Sequence, residues 1–147
     1  MTFTTKEYQS LSHTRWDCKY HVVFIPKRRK KRIFGMLRWH LGELFHELAS
    51  HKESKIVEGH LMDDHVHMCI SIPPKYAVSN VVGYLKGKSA IQIARKFGGR
   101  QKNFTGEHFW ARGYFVSTVG LDDNIVRTYI RNQEDEDERY DQMKLEI

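Results

Sequence analysis

The stretch Met62-Asp63-Asp64-His65-Val66-His67-Met68-Cys69-Ile70-Ser71-Ile72 constrains this chain most, because it alternates with a period of two. Side chains along a strand point to opposite faces in turn, so His65, His67, Cys69 and Ser71 share one face. Val66, Met68, Ile70 and Ile72 share the other, and that set must lie on a core. The histidine face sets two imidazoles side by side, a natural pair of ligands for a divalent metal. Spacing alone leaves the pair open. Nine histidines in 147 residues give about half a His-x-His by chance, and two solvated histidines would read the same way.

The order of elements gives the face a setting. Asp17 to Ile25 reads as a strand that Pro26 stops. Met36 to His51 reads as an amphipathic helix, with Leu37, Leu41, Leu44, Phe45 and Leu48 along one stripe. Lys55 to Met62 reads as a second strand, joined to the His65 strand by the short link Asp63-Asp64, hence a hairpin. Val78 to Phe97 reads as a second helix, with Gly87 weakening its middle and Gly98-Gly99 ending it. Residues 98–112 read as a basic and aromatic loop, and Gly113 to Val119 as a fourth strand. A last helix, over about 121–143, is capped by Asp122 or Asp123 and runs through Tyr129 and Gln133 into the acidic stretch Glu134 to Glu138. Residues 1–14 are expected to be a flexible arm on a single domain of 1–147.

The order β-α-β-β-α-β with an extra helix predicts an α+β, ferredoxin-like (split βαβ, RRM-like) antiparallel sheet with both helices on one face. Its first and third strands are central. The histidines of the third strand would then stand at the centre of the open face.

Net charge of +6 favours a polyanionic partner, most simply nucleic acid. Six consecutive cations, Lys27, Arg28, Arg29, Lys30, Lys31 and Arg32, have no packing use and suit phosphate contacts. Lys86, Lys88, Arg95, Lys96, Arg100, Lys102 and Arg112 are further backbone candidates, and Phe104, Phe109, Trp110 and Tyr114 could stack bases. One of Tyr114 and Phe115 must face the core. No apolar run nears the roughly 20 residues of a membrane span, and Met1 to Trp16 lacks the apolar stretch of a signal peptide. Two cysteines without a Cys-x-x-Cys fit a cytoplasmic protein with reduced thiols. Cys69 is expected to be an unreactive thiol, and His21 and His60 to be structural or near the site.

Tyr129 and Gln133 are four apart on the expected helix and share its face. Read by themselves they fit a tyrosine at the core edge and a solvated glutamine as well as a nucleophile and an oxygen ligand.

Five blocks in order give more. They are Cys18-Lys19-Tyr20-His21-Val22-Val23-Phe24 with Lys27-Arg28-Arg29 after it; Asp64-His65-Val66-His67; Leu85-Lys86-Gly87-Lys88-Ser89; Phe109 through Gly120; and Tyr129-Ile130-Arg131-Asn132-Gln133. With these the chain resembles the single-tyrosine HUH transposases, the TnpA proteins of IS200/IS605-type insertion sequences. It departs from them at Met62-Asp63, where a proline is expected before Asp-His, and in its heavier acidic run. The resemblance implies a DNA transposase that is a metal-dependent single-strand endonuclease and strand transferase. Tyr129 would be the nucleophile. His65, His67 and Gln133 would hold Mg²⁺ or Mn²⁺. It implies single-stranded DNA hairpins as substrate, a 5′-phosphotyrosine intermediate, and a homodimer in which the tyrosine helix can serve the partner's histidines. A prokaryotic cytoplasmic setting on the nucleoid follows.

Three other readings compete. An RRM-like binding module without catalysis shares the fold, but no Gly-aromatic RNP1 pattern appears on the central strands. A structural zinc site of His60, His65, His67 and Cys69 departs from the usual ligand spacing. A domesticated relative that cleaves repeats would carry the same residues.

Overall fold

The computed structural model describes residues 9–11, 14–27, 33–97, 109–118 and 123–145. The elements are β1 (Gln9–Leu11), β2 (Thr14–Trp16), β3 (Lys19–Phe24), α1 (Gly35–His51), β4 (Lys55–Leu61), β5 (Val66–Ser71), α2 (Val78–Phe97), β6 (Phe115–Ser117) and α3 (Asp123–Leu145). The main sheet has the order β4-β5-β3-β6, and every pairing is antiparallel. Strands β3 and β5 are therefore central, as the split-βαβ order predicts.

The alternation of β5 decides which side is core. Val66, Met68 and Ile70 are buried together with Val22 and Phe24 of β3. Against them lie Leu41, Leu44, Phe45 and Leu48 of α1 and Val81, Val82, Leu85 and Ile93 of α2. Phe24 is the hub, edge-on to Phe45 at 5.8 Å and to Trp110 at 4.8 Å. Each such ring pair adds about 1 kcal/mol beyond the area it buries. Trp110 closes this core from the side, and its Nε1 donates to Ser89 Oγ at 3.0 Å.

The second face carries a smaller cluster. Val23 and Ile25 of β3, Ala111 and Ile130 are buried, with Phe115 and Tyr129 packed against them. Helix α3 thus covers the face opposite α1 and α2. Tyr114 packs on the main core and Phe115 on the second cluster, as the alternation of a strand requires.

Several boundaries differ from expectation. Within the stretch expected to be an arm, residues 9–11 pair antiparallel with 14–16, Gln9 opposite Trp16, and residues 1–8, 12 and 13 lie outside the described residues. Gly87 does not break α2, which runs through it. Strand β6 is shorter than Gly113–Val119. Gly113 has φ +81°, a left-handed conformation that ends extended structure and suits glycine. The hairpin between β4 and β5 is as predicted, closed by the Met62 N–H donating to the His65 carbonyl at 2.9 Å. The expected cation run at Arg28–Arg32 and most of the 98–112 loop lie outside the described residues.

Strand β4 contains an irregularity that sequence did not indicate. Ile56 pairs with Ile70, yet Glu58 pairs with Cys69, so the register slips between them. A one-residue slip moves all following side chains to the other face. Ile56 accordingly stays in the core, Val57 is exposed, and Glu58 and His60 turn toward the histidine face.

Candidate active site

His67 sits at the middle of the open face. Its partners in register are Val23 on β3 and His60 on β4. The His60 ring lies 5.8 Å from it, and the His21 ring 5.6 Å on the other side. His21 Nδ1 and His67 Nε2 are 3.4 Å apart. Three imidazoles therefore stand in a row across three strands. His21 and His60 are residues expected to be structural or near the site, and the bulge explains how His60 reaches this face. Glu58, which the strand pattern of the sequence did not single out, holds His60 Nε2 through Oε1 at 2.9 Å.

Burial first, and then the neighbouring His21, His60 and His65, push the His67 pKa below its ordinary value. Taking an imidazole out of water disfavours the cation, and adjacent imidazoles disfavour it further. A neutral ring is the form that can bind a metal. The hydrogen bond from His60 also lowers the Glu58 pKa, there by favouring the charged carboxylate. For Cys69, burial raises the thiol pKa, the property expected of an unreactive cysteine.

His65 lies just before β5, at the end of the turn. Its Nδ1–H donates to Asp64 Oδ1 at 2.8 Å, and both side chains are mostly buried. This bond engages Nδ1 and leaves Nε2 as the nitrogen on the far side of the ring. A carboxylate at the nitrogen away from the metal is the usual support of a metal-binding histidine.

Helix α3 brings the other two expected residues to the same face. Tyr129 and Ile130 pack on Val23 and Ile25, and Val23 is the strand neighbour of His67. The Tyr129 ring is 5.9 Å from Phe115, and its phenol oxygen is buried. One turn on, Gln133 Nε2 donates to the Arg112 carbonyl at 2.5 Å. The planar amide then presents Oε1 on its opposite side.

These features fit a divalent ion: two imidazoles, one held at Nδ1 by Asp64 and one disposed to the neutral form by burial, and an amide oxygen. Oxygen donors and water suit Mg²⁺ or Mn²⁺ better than nitrogen alone. Among the described residues, no group of three or more His, Cys, Asp and Glu side chains is placed to hold a metal. A zinc site of His60, His65, His67 and Cys69 is not formed there.

Two expected DNA contacts are corrected. Trp110 is buried in the core and cannot stack on a base in this arrangement; Phe109 is buried with it. Lys86 is turned inward, its Nζ donating to the carbonyls of Ala111 at 2.8 Å and Gly113 at 2.6 Å. Both residues looked available because loop and helix composition says nothing about which carbonyls need a donor. Lys88, Arg95 and Arg112 are exposed and Lys27 is half-buried. Arg28, Arg29, Lys30, Lys31 and Arg32 lie outside the described residues, as do Arg100, Lys102 and Phe104.

The split-βαβ sheet carries histidines on its open face, and the helix bearing Tyr129 packs on that same face. The chain belongs to the IS200-like transposase family, whose model matches residues 14–133. It is 41% identical over 137 residues to the transposase for insertion sequence element IS200 of Salmonella typhimurium, covering 93% of this chain and 90% of that one. It is 24% identical over 123 residues to the ISDra2 transposase TnpA of Deinococcus radiodurans, covering 83% and 88%. A crystal structure of a protein assigned as a transposase from the same organism superposes with a TM-score of 0.75 at 24% identity, over 85% of this chain and 97% of that one. A REP-associated tyrosine transposase bound to a REP hairpin shares the fold at a TM-score of 0.53 and 11% identity, over 88% and 68%. Membership of a transposase family carries a DNA-cleaving activity. Among the described residues, no helix is long and apolar enough to cross a membrane.

Proposed function

We propose that this chain cuts and rejoins single-stranded DNA at hairpin-marked element ends, with Tyr129 as nucleophile and His65, His67 and Gln133 as ligands of Mg²⁺ or Mn²⁺. The observation that carries the reading is the position of α3. It lays Tyr129 against Val23, the strand neighbour of His67, so nucleophile and histidines share one face of the sheet. The relative seen bound to a REP hairpin supports a hairpin substrate.

The Tyr129 oxygen attacks phosphorus, the bond from phosphorus to the 3′ oxygen breaks, and a 5′-phosphotyrosine results. The phenol proton is lost and the departing 3′ oxygen gains one. No bond energy is dissipated to water, so attack by another 3′-hydroxyl reverses the step and joins a new strand without ATP. At neutral pH only about 0.1% of a free phenol is ionised, and an anionic phosphodiester repels it further. A divalent ion bound by the three ligands would neutralise a non-bridging phosphate oxygen and orient the phosphate for in-line attack. The residues of the chain prepare this. Asp64 sets His65, burial keeps His67 neutral, and the Arg112 carbonyl turns Gln133. Lys88 and Arg95 are exposed and could reach phosphates of the bound strand. As in the family it resembles, the enzyme acts as a homodimer that can exchange α3 between subunits.

The test is cleavage of a labelled hairpin oligonucleotide during a Mn²⁺ titration. Gln133→Ala should need about tenfold more metal while its hairpin affinity stays unchanged. An unaltered metal titration would remove Gln133 from the ligand set. Tyr129→Phe should bind the hairpin and cut nothing; loss of binding as well would make Tyr129 structural.

A further inference from the structure

Beyond the β4–β5 turn, the side of the molecule away from α3 carries a second set of unused groups. Phe34 and Trp39 are each 65% exposed, and Met36 and Met62 stand in solvent with them. The start of α1 is tied to the turn that carries His65. The Ile33 N–H donates to the Asp63 carbonyl at 3.1 Å, and Arg38 Nε donates to the Leu61 carbonyl at 2.8 Å. Between α1 and the edge strand β4 runs an open groove of about 650 Å³, lined by Arg38, Trp39, Glu43, His46, Gly59 and Leu61. Gly59 contributes no side chain, which keeps the groove open on the strand side.

We propose that this groove receives an unpaired nucleobase of the DNA strand, with Trp39 as its stacking surface. The proposal rests on the reading of single-stranded DNA as substrate. Two observations select a base as the occupant. An exposed indole offers a flat π surface, and base–aromatic stacking is the common device for holding unpaired bases. The polar rim mixes a donor, Arg38, with an acceptor, Glu43. That mixture suits the donor and acceptor edge of a base, whereas a carboxylate would repel a phosphate group. The hydrogen bonds to Asp63 and Leu61 join this groove to the turn bearing His65. A base held here therefore fixes where along the strand the phosphate meets the histidines, and Trp39 is a specificity-determining residue.

The chain contains its own probe. Of its three tryptophans, Trp16 and Trp110 are buried and only Trp39 is exposed, so quenching of intrinsic fluorescence by DNA reports on Trp39. The experiment titrates the full chain with a hairpin oligonucleotide carrying single-stranded flanks, and with a series in which each flanking base is replaced in turn by an abasic site. Fluorescence should fall on binding. Trp39→Leu should abolish the fall and weaken binding by between about five- and a hundredfold, while Trp39→Phe restores most of the affinity. One abasic position should cost the wild type as much as Trp39→Leu does, and should cost the Leu variant nothing more. Trp39 is largely solvent-exposed, so the fold tolerates both changes, and both variants should still form the covalent adduct at saturating DNA. Unchanged affinity in Trp39→Leu overturns the site and leaves the proposed function standing. So does a dimer-to-monomer shift of that variant in sedimentation, which would make the groove a contact between two copies. A wild-type chain that neither binds nor cuts such DNA removes the function and the site together.

Discussion

His65 and Asp64 are adjacent in sequence, and their contact is what prepares His65 for the ligand role proposed for it. The alternation of Met62–Ile72 already separated the imidazole face from the core face, because period two is a property of any strand. Burial of Val66, Met68 and Ile70 shows that separation directly. The bond from His65 Nδ1 to Asp64 Oδ1 was not legible, since neighbours on a strand normally point apart and only the turn brings them together. Asp64→Asn keeps an acceptor but removes the charge. It should lower Mn²⁺ affinity about tenfold, and Asp64→Ala by up to about a hundredfold, measured by calorimetry on the DNA-free protein. Equal affinity in all three proteins would mean that His65 needs no support, or is no ligand. Tryptophan 110 shows the opposite limit. A tryptophan in a basic loop reads equally well as a stacking platform or a core plug, and only its place beside Phe24 and Phe45 decides for the core.

At the scale of elements, helices α1 and α2 were legible because each carries a sustained apolar stripe. Strand β6 was less so, because three residues give no period and its bounds depend on Gly113 and on its pairing with β3. The bulge in β4 was not legible at all: a register slip is a property of two strands together. The short segment 111–113 illustrates how elements fix one another. Its three successive carbonyls are taken by Lys86 of α2 on the first and third and by Gln133 of α3 on the second. Lys86 thus acts as a tether beneath the loop against which Gln133 is set. Lys86→Met should lower unfolding free energy by about 1.5–3 kcal/mol in urea, the cost of losing a charge-assisted bond. It should leave the salt dependence of DNA binding unchanged. Normal stability with a salt slope reduced by about one would instead return Lys86 to the phosphate contacts.

For the whole molecule, one antiparallel sheet serves two purposes. One face is closed by α1 and α2 and supplies the stability. The other carries a row of imidazoles and is partly covered by α3, which brings a tyrosine and a glutamine. The central strands β3 and β5 hold His21 and His67 on the most constrained backbone available, while His65 lies one residue before β5 and His60 on the edge strand β4. Membership of the IS200-like transposases fits this division, and the matched segment 14–133 ends on Gln133. The central claim is that Tyr129 forms a covalent bond to DNA on this face. The most direct measurement incubates the protein with end-labelled single-stranded hairpin DNA and Mg²⁺ or Mn²⁺, then asks whether label stays with the chain in denaturant. Label retained by the wild type, and lost both in Tyr129→Phe and with a chelator, is the predicted result. DNA that is bound in native conditions yet never retained in denaturant, across several hairpin substrates, would contradict the account and leave the histidine face without a catalytic role.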